Sequence, residues 1–584
     1  MTALPNGTAQ LWANEIHSQI AYGVTAALMS AGQTLHTEPN EDGTTLCVVA
    51  VEAGRAVIRL DVPLGDAVGY WHPSSGWNRH LPADWEGWRR VGLVNSAPIG
   101  CLFDSAGNTV LGFASDRLES ETQIRFGVSE ESARYGVWLA MDLSAGQTCR
   151  IRLAAPGQTA ASALRLLTQW LATGEELSVP DAARVPAYST WYSFHQDMKA
   201  AEVEAEAKIA SDLGCGVLLL DDGWQLHAQG RGYAGCGDWT PDPVKFPDFT
   251  AHVRAVQGMG MRYVAWVAPL LLGQHSAAHE VMAPFAPHYA EGLDCRVLDP
   301  RQAQARRFIV DTCAELVETY GLDGLKIDFL DAAMVYATAD DDAARDDVSQ
   351  AMLVLLTELR ERLYALRGDD LLIELRQPYM GPAMLKFGNL LRAGDCPANA
   401  AANRVKTIDI AATAATGAIH SDMLMWHPDA QPEAAARQLH GAFYAIPQIS
   451  IRLAEQSAEH REVTAFWLRV WRDFKDVLTG GEVNAGRPDE LYEQVTAIAG
   501  SRAVVTNYSE RVIRLDLGRF TEVALINSTA AERVILDLTG DPAHAGLEVC
   551  DARGRQVSCE TEELRPGLRA LAIPAAGICR VRFA

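Results

Sequence analysis

Gly321-Leu-Asp-Gly-Leu-Lys-Ile-Asp-Phe-Leu-Asp331 is the stretch that decides the fold. A helical pattern over 301–320 runs into Gly321, and a short apolar run, Gly324–Ile327, then ends on Asp328. In a (β/α)8 barrel the chemistry sits where strands end. Lys326 shares a strand face with Asp328, because side chains two positions apart point the same way. The sequence predicts a cation that keeps Asp328 ionised and fit to be a nucleophile, with a structural ion pair as the alternative.

The pattern around this stretch repeats along the middle of the chain. Short apolar runs alternate with helical patterns about eight times, which is the rhythm of a (β/α)8 barrel. A doubly wound open sheet is the alternative. It is disfavoured because acidic residues follow several different runs and no Gly-rich phosphate loop follows any of them. The predicted strands are 185–192, 217–220, 261–268, 295–298, 324–327, 371–375, 388–391 and 418–425, and predicted helices include 200–213, 249–259, 303–320, 348–366 and 403–415.

The flanking segments predict β structure on both sides of the barrel. Residues 45–51 and 56–62 form one expected strand pair, and 136–143 and 148–153 form another. The expected layout is an N-terminal β-sandwich over 1–160, a linker helix over 161–184, a catalytic (β/α)8 barrel over 185–480 and a C-terminal β-sandwich over 481–584. A cluster of rings in the first part suits either buried sandwich positions or a rim facing a sugar site; its members are Trp71, Trp77, Trp85 and Trp88.

Composition excludes several classes of protein. The chain has 584 residues and a formal net charge of −24, a surface that repels nucleic acid. No apolar run is long enough to span a bilayer, and no basic segment followed by an apolar one marks a secretory signal. The eleven cysteines are scattered without a CxxC pair, which is typical of reduced thiols. We expect a cytoplasmic protein with no nucleic-acid or membrane partner.

Carboxylates and rings follow many of the predicted strands. Hard cations need a compact loop of oxygen ligands, and zinc needs His pairs at helical spacing, so a metal site is the weaker alternative and no cofactor is expected. Carboxylates, rings and few amines describe a carbohydrate pocket better than a phosphate pocket. The candidates are Asp221, Asp222 and Trp224 after the second run, Asp238 and Trp239 in the next loop, Trp266 in the third run, Glu374 and Arg376 at the sixth, Arg392 and Asp395 after the seventh, and Asp422 after the eighth.

Two carboxylates on different strand ends could flank a scissile bond. Asp328 follows the fifth predicted run and Asp395 the seventh. Glycoside hydrolysis needs such a pair, one ionised and one protonated. Spacing alone leaves Asp222, Glu374 and Asp422 as further candidates.

The motifs resemble glycoside hydrolase family 36, which contains α-galactosidases and the raffinose and stachyose synthases. The resemblance rests on Asp221-Asp-Gly-Trp224, Gly237-Asp-Trp239, Lys326-Ile-Asp328 and Asp395, and covers the barrel. It implies that Asp328 is the nucleophile and Asp395 the acid/base. By the same resemblance, sugar hydroxyls are held by Asp221 and Asp222, the sugar is contacted by Lys326, a ring wall is supplied by Trp191, and looser counterparts are Glu374 and Arg392.

The sequence departs from that family at two places. Residues 374–381 replace a Cys- and Gly-rich segment, and Leu270 replaces a common acidic residue. The resemblance implies a retaining exo-acting α-glycosidase, best interpreted as an α-galactosidase that cleaves terminal α-galactosides by double displacement. The alternatives are a transglycosylase, a retaining α-glycosidase for another sugar, and a non-catalytic sugar-binding protein. The expected partner is an oligosaccharide or glycoside, and a homo-oligomer stays open.

Overall fold

The computed structural model describes residues 16–28, 33–51, 54–337, 342–414 and 416–583, so the first fifteen residues of the predicted N-terminal part lie outside it. The N-terminal part is two six-stranded antiparallel sheets packed face to face, as the sequence predicts. Apolar side chains of both sheets, such as Leu60 and Phe113, share one core. The first sheet contains Ile16–Gln19, Thr25–Leu28, Gly54–Pro63, Arg134–Leu143, Thr122–Ser129 and Gly87–Val91, and the second Gln33–Pro39, Thr45–Val51, Thr148–Ala154, Thr109–Ser115, Ile99–Asp104 and Ala67–Trp71.

The four strands of this sandwich that the sequence analysis names are present, but they do not pair as predicted. Thr45–Val51 lies in the second sheet and Gly54–Pro63 in the first, so they are not hairpin partners. Arg134–Leu143 and Thr148–Ala154 are likewise divided between the sheets. A connection of a few residues can turn back within one sheet or cross to the facing one, about 10 Å away, and the spacing of strands does not separate the two.

The tryptophan cluster of the N-terminal part divides into buried and exposed rings. Trp71 is fully buried, whereas Trp77 and Trp85 expose 55% and 53% of their surface. The helix Ala160–Leu171 begins at Thr159, whose hydroxyl accepts the N–H of Ser162, and its apolar face packs on the second sheet. Burying that face joins the sandwich to the next part of the chain.

The middle of the chain is an eight-stranded parallel sheet. The two end strands approach through parallel bridges between His420 and Ile446 and between Leu424 and Ile449, so the barrel is nearly closed. All its strands are buried, because helices cover the outside and side chains fill the inside. In chain order, barrel strands one to eight are Ala187–Ser189, Val217–Leu220, Arg262–Val267, Gly324–Ile327, Leu372–Arg376, Leu390–Arg392, Ala418–His420 and Gln448–Ile449.

One predicted barrel strand is wrong and one was missed. Cys295–Val297 pairs antiparallel with Leu271–Gly273 and His288–Ala290 in a separate three-stranded sheet. The eighth barrel strand is Gln448–Ile449, whose two residues are too short to form a recognisable pattern. Asp328 therefore follows the fourth barrel strand, not the fifth, and Asp395 the sixth, not the seventh.

The helices agree more closely with the sequence. The helix Ala303–Tyr320 ends at Gly321, which takes a left-handed conformation with φ of 69°. The N–H of Gly321 donates to the carbonyl oxygen of Val317. Glycine adopts this conformation without the steric cost that a side chain would add. The α-helices of the barrel part are Trp191–Phe194, Ala200–Asp212, Phe249–Gly258, His279–Met282, Ala303–Tyr320, Asp342–Arg367, Ala400–Ala411, Pro432–Gly441, Ala458–Asp473 and Lys475–Gly480.

The C-terminal part is a seven-stranded sheet packed against a three-stranded one. Alternate side chains of both sheets, such as Leu515 and Leu525, form its core. The larger sheet contains Glu482–Asn484, Gln494–Ala499, Arg502–Asn507, Glu522–Asn527, Ile578–Phe583, Ala543–Cys550 and Gln556–Leu564, and the smaller one Val512–Asp516, Arg533–Thr539 and Gly567–Ala572.

The three parts of the chain meet at Asp409, which lies on the barrel helix Ala400–Ala411 and is 4% exposed. From the N-terminal sandwich, Arg79 Nη2 donates to Asp409 Oδ2 at 2.6 Å and Trp71 Nε1 to Oδ1 at 2.8 Å. The Tyr492 hydroxyl, from the loop between the first two strands of the C-terminal part, donates to Oδ1 at 2.7 Å. We call these four residues the Asp409 junction.

None of the helices described is both long enough and apolar enough to cross a bilayer. All eleven cysteines are unpaired, and Cys559 alone among them is exposed.

Candidate active site

Asp328 lies at the end of the fourth barrel strand and is 8% exposed. Its Oδ1 accepts from Arg376 Nε, from the N–H of Phe329 at 2.7 Å and from the Tyr379 hydroxyl at 3.2 Å. Its Oδ2 accepts from Trp266 Nε1 at 3.0 Å. Burial acts to raise the pKa of Asp328, but Arg376 and then Lys326 outweigh it and lower the pKa to about 2. The carboxylate is therefore ionised at neutral pH.

Lys326 points into the barrel, where Asp221 is its nearest partner. Its Nζ donates to Asp221 Oδ2 at 2.5 Å and lies 3.5 Å from Glu374 Oε1. The predicted cation is thus beside Asp328 in sequence, but its direct ion pair is with the second barrel strand, and Arg376 has the larger effect on the pKa of Asp328.

Asp222 is buried next to this pair. Gln196 Nε2 donates to its Oδ2 at 2.6 Å and Gln225 Nε2 to its Oδ1 at 2.7 Å. Burial outweighs these two hydrogen bonds and raises the pKa of Asp222 to about 6. Asp222 and Asp328 therefore have pKa values on opposite sides of the ordinary range.

Arg392, at the end of the sixth barrel strand, joins three acidic side chains. Its Nη1 donates to Asp395 Oδ1 at 2.9 Å and to Asp422 Oδ1 at 2.6 Å, and its Nε lies 3.5 Å from Glu374 Oε1. Asp395 exposes 58% of its side chain, whereas Asp422 and Glu374 are fully buried. Partial desolvation beside these buried groups acts to raise the pKa of Asp395, but Arg392 outweighs it and holds the pKa below its usual range.

Glu374 occupies the interior of the barrel between two cations. It pairs in register with Lys326 of the fourth strand, and Gln448 Nε2 donates to its Oε2 at 2.5 Å. Burial raises the pKa of Glu374, and Lys326 and Arg392 oppose the increase. A side chain with no exposed surface positions its neighbours more readily than it touches a ligand.

Three of the predicted sugar-binding side chains are engaged in packing or in loop structure instead. The ring of Trp224 is fully buried and stacks on Phe249 at 5.3 Å. Trp239 is 3% exposed and meets Trp266 edge-on. Both oxygens of Asp238 accept hydrogen bonds from the loop 276–278, which leaves this carboxylate engaged in loop structure.

Trp191, by contrast, is half-buried on the turn after the first barrel strand. Its ring meets His195 edge-on at 5.0 Å, and the guanidinium of Arg231 lies 5.5 Å from the ring centre. The ring keeps surface to offer a ligand, unlike Trp224 and Trp239.

Several residues that contact the predicted carboxylates were missed from the sequence. Gln225 directly follows the Asp221–Trp224 motif and Tyr379 lies in the segment 374–381, so a polar residue near an acid was the available signal. Gln196 donates to Asp222, and the Tyr192 hydroxyl donates to Asp422 Oδ2 at 3.1 Å. Both residues follow the first barrel strand, where no acidic residue marked a site in the sequence.

The described residues contain no group of three or more His, Cys, Asp or Glu side chains placed to hold a metal ion. Instead, Asp221, Asp328 and Asp422 are paired with Lys326, Arg376 and Arg392, respectively, and Asp222 is held by two glutamine side chains. The arrangement suits a neutral, hydroxyl-bearing ligand, which can exchange hydrogen bonds with carboxylates without changing the charge of the site.

Part of the chain is similar in sequence to a known protein family and to curated α-galactosidases. Residues 181–375 match the family model described as Melibiase. α-Galactosidase 2 of Pediococcus pentosaceus is 27% identical over 157 residues, which cover 26% of this chain and 22% of that protein. The chain thus spans about a fifth of the length of this curated relative.

Solved structures extend the likeness to the whole fold. The glycoside hydrolase family 36 α-galactosidase AgaA of Geobacillus stearothermophilus superposes with a TM-score of 0.63 at 14% identity, covering 96% of this chain and 83% of that one. A variant of AgaA in complex with raffinose gives a TM-score of 0.62 at 13% identity, with 96% and 84% covered. These findings confirm the family resemblance of the barrel motifs and the three-part fold predicted from the sequence.

Proposed function

We propose that this chain, with its melibiase segment, is a glycoside hydrolase: a retaining, exo-acting α-galactosidase in which Asp328 is the nucleophile and Asp395 the acid/base. The observation that carries the proposal is the environment of Asp328. Its carboxylate sits at a barrel strand end, with its pKa lowered to about 2 by Arg376 and Lys326 against the effect of burial. Retaining glycosidases need such an ionised carboxylate opposite a second one that exchanges a proton.

In the first step Asp328 attacks the anomeric carbon and forms a glycosyl ester. Oδ1 already accepts three hydrogen bonds, whereas Oδ2 accepts one, from Trp266. A carboxylate oxygen with a free lone pair is the better nucleophile, so we assign the new C–O bond to Oδ2. The C–O bond to the leaving group breaks as Asp395 donates its proton to that oxygen. In the second step Asp395 takes a proton from water, the water oxygen bonds to the anomeric carbon, and Asp328 leaves.

Asp395 must be protonated for the first step, although Arg392 lowers its pKa in the free protein. The Nη1 of Arg392 donates to Asp395 and Asp422. We propose that a bound glycone and leaving group desolvate Asp395 and raise its pKa, while Arg392 keeps Asp422 as its partner. The pKa of Asp222, about 6, would suit a general acid. We do not assign it that role, because glutamine side chains donate to both its oxygens and it is only 3% exposed.

Recognition of the glycone falls to the second and fourth barrel strands. Asp221, Asp222 and Lys326 would hold hydroxyls, and Trp191 would form a wall, as the resemblance implies. The α-galactosidase relatives and the raffinose complex of AgaA support terminal α-galactosides as substrates. Leu270 has no polar side-chain atom, so it supplies none of the hydrogen bonds that an acidic residue would supply there.

Two alternatives share the same residues. A transglycosylase would need an acceptor pocket that outcompetes water, and a retaining α-glycosidase for another sugar would differ at Leu270 and the segment 374–381. A third alternative is a non-catalytic sugar-binding protein. We disfavour it, because binding alone does not require a second carboxylate such as Asp395 in addition to the ionised Asp328. Product analysis at high sugar concentration separates transfer from hydrolysis.

The cellular setting and assembly are further parts of the proposal. The eleven unpaired cysteines suit a reducing compartment, so we place the protein in the cytoplasm. The exposed rings of Trp77 and Trp85 suit contact with a second copy of the chain. Light scattering of the purified protein and of the Trp77→Ser variant tests a homo-oligomer.

The decisive experiment measures turnover of aryl α- and β-glycosides of galactose, glucose, N-acetylgalactosamine and arabinose by the wild type and by Asp328→Asn. We expect turnover of the α-galactoside that the variant loses. Turnover of a different α-glycoside would keep the mechanism and overturn the galactose assignment. Turnover that Asp328→Asn retains would overturn the assignment of the nucleophile.

A further inference from the structure

The backbone around Asp395 is held in place at successive peptide groups. The N–H of Gly394 donates to Gln377 Oε1 at 2.9 Å, and the N–H of Cys396 donates to Asp422 Oδ2 at 2.6 Å. The N–H of Ala393 donates to the carbonyl of His420 at 3.1 Å. The side chain of Asp395 is nevertheless 58% exposed, so a fixed backbone presents a side chain that is open to solvent.

Lys406 holds the carbonyl side of the same segment. Its Nζ donates to the carbonyl oxygen of Gly394 at 2.9 Å and to that of Asp395 at 2.8 Å. An ammonium group has three donors, and here two of them are used on consecutive carbonyls. Charge-assisted hydrogen bonds of this kind are stronger than neutral ones, so the contact restrains the Cα of Asp395.

The helix that carries Lys406 is itself anchored from both sides. Asp409 lies three residues further along Ala400–Ala411 and is the centre of the Asp409 junction, where it accepts from Arg79, Trp71 and Tyr492. The N-terminal sandwich and the C-terminal part therefore both fix the helix from which Lys406 reaches the loop.

We propose that Lys406 is a positioning residue that sets the place of Asp395 through its two backbone carbonyls, and that the Asp409 junction supplies the rigid base for it. The inference rests on the proposed function, in which Asp395 is the acid/base. A general acid must come within hydrogen-bond reach of the leaving oxygen, and a displacement of about 1 Å can reduce the rate ~10²-fold. Lys406 does not touch the reacting atoms in this scheme.

The test uses two α-galactosides that differ in their leaving group. A dinitrophenolate departs without a proton, whereas a methoxyphenolate needs one from Asp395. Lys406→Met keeps the length of the side chain and removes its donors. We expect kcat/KM for the methoxyphenyl substrate to fall at least ~10-fold, with at most a twofold change for the dinitrophenyl substrate.

A second arm combines Lys406→Met with Asp395→Asn. If Lys406 acts through Asp395, the added substitution has no further effect in the Asp395→Asn background. Lys208→Met, which removes an exposed lysine paired with Asp212, is the matched control and should leave both substrates unchanged. Gln377→Leu loosens the loop from its other side and should show the same dependence on the leaving group, which provides a second variant if Lys406→Met does not fold.

Equal losses on both substrates, or a further loss in the Asp395→Asn background, would overturn the proposal and reduce Lys406 to a structural residue. Failure of the proposed function looks different. In that case the wild type turns over neither substrate, or Asp395→Asn itself shows no dependence on the leaving group.

Discussion

Trp266 donates its indole N–H to Asp328 Oδ2 at 3.0 Å, while Arg376 and two further donors hold the opposite oxygen. The third and fourth barrel strands are neighbours, with Trp266 paired in register with Lys326, so the sheet itself brings the indole to the carboxylate. A proposed nucleophile whose two oxygens are both held by donors keeps one orientation.

Removing the carboxylate of Asp328 while leaving space for a small anion is the sharpest test of its role. We expect Asp328→Gly to lower kcat on an aryl α-galactoside by at least ~10³-fold. Azide should restore part of the rate and give a β-galactosyl azide, because it attacks from the face that Asp328 occupied. NMR of the product checks the configuration, and Asp429→Gly, at an exposed position, is the control. An α-configured azide would contradict the proposal.

Arg376 controls the ionisation of Asp328. Burial acts to raise the pKa of Asp328, and the guanidinium of Arg376 makes the largest contribution to lowering it to about 2. The wild type keeps Asp328 ionised at any pH above that value, so protonation of this group does not limit kcat/KM in the ordinary range. Removing the cation raises the pKa.

We therefore expect Arg376→Met to bring the acid limb of kcat/KM into view, shifted upward by about one pH unit or more. A pH–rate profile with an aryl α-galactoside measures it. Arg376→Lys keeps the charge and should shift the limb less. An unchanged acid limb in Arg376→Met would show that Lys326 suffices.

Asp222 makes stability depend on pH in the opposite direction from Asp328. Burial raises its pKa from an ordinary 3.8 to about 6, so between these values the folded protein binds a proton that the unfolded chain has lost. Stability from this group is present below the lower value and is lost as pH rises through the higher one.

Asp222→Asn removes that dependence. Relative to the wild type, we expect the variant to gain on the order of 2–3 kcal/mol between pH 4 and pH 7. Urea unfolding at a series of pH values gives the difference, with Asp212→Asn as an exposed control. A difference that is constant with pH would mean that Asp222 is ionised in the folded protein.

The Asp409 junction predicts unequal costs for its donors. Arg79→Met leaves a buried carboxylate without its cation, which costs about 3–5 kcal/mol. Tyr492→Phe removes one neutral donor from an oxygen that still accepts from Trp71, which costs about 1 kcal/mol. Thermal unfolding of both variants measures the ratio. Equal costs would indicate that Asp409 is neutral in the folded protein.

The sequence predicts the fold well where chemistry and periodicity agree. The helix before Gly321, the fourth strand and the acidic strand ends were all visible, because a left-handed glycine and a buried apolar run leave clear marks. The eighth barrel strand was not visible, because its two residues, Gln448 and Ile449, are too few to show a repeating hydrophobic pattern. The pairing of sandwich strands depends on which sheet a short connection enters, and local sequence does not contain it.

The site divides in a similar way. Of the predicted residues, Lys326 and Asp221 form an ion pair in the structure, and Lys326 helps to lower the pKa of Asp328. Trp224 was predicted to face the sugar but is buried, because a ring after a strand end can turn toward the helix layer as readily as toward the mouth. Lys406 and Asp409 were beyond sequence reasoning, since their importance lies in contacts with residues distant in the chain.

Those distances have a consequence for how the protein is made. Asp409 accepts from residues 338 and 330 positions before it and from one 83 positions after it. During synthesis the carboxylate lacks its third protein donor until residue 492 has been made. Domains usually fold in order from the N-terminus. Here the last donor to the helix beneath the proposed acid is made only after every strand and helix of the barrel, so a nascent chain would complete its barrel before this helix is fully anchored.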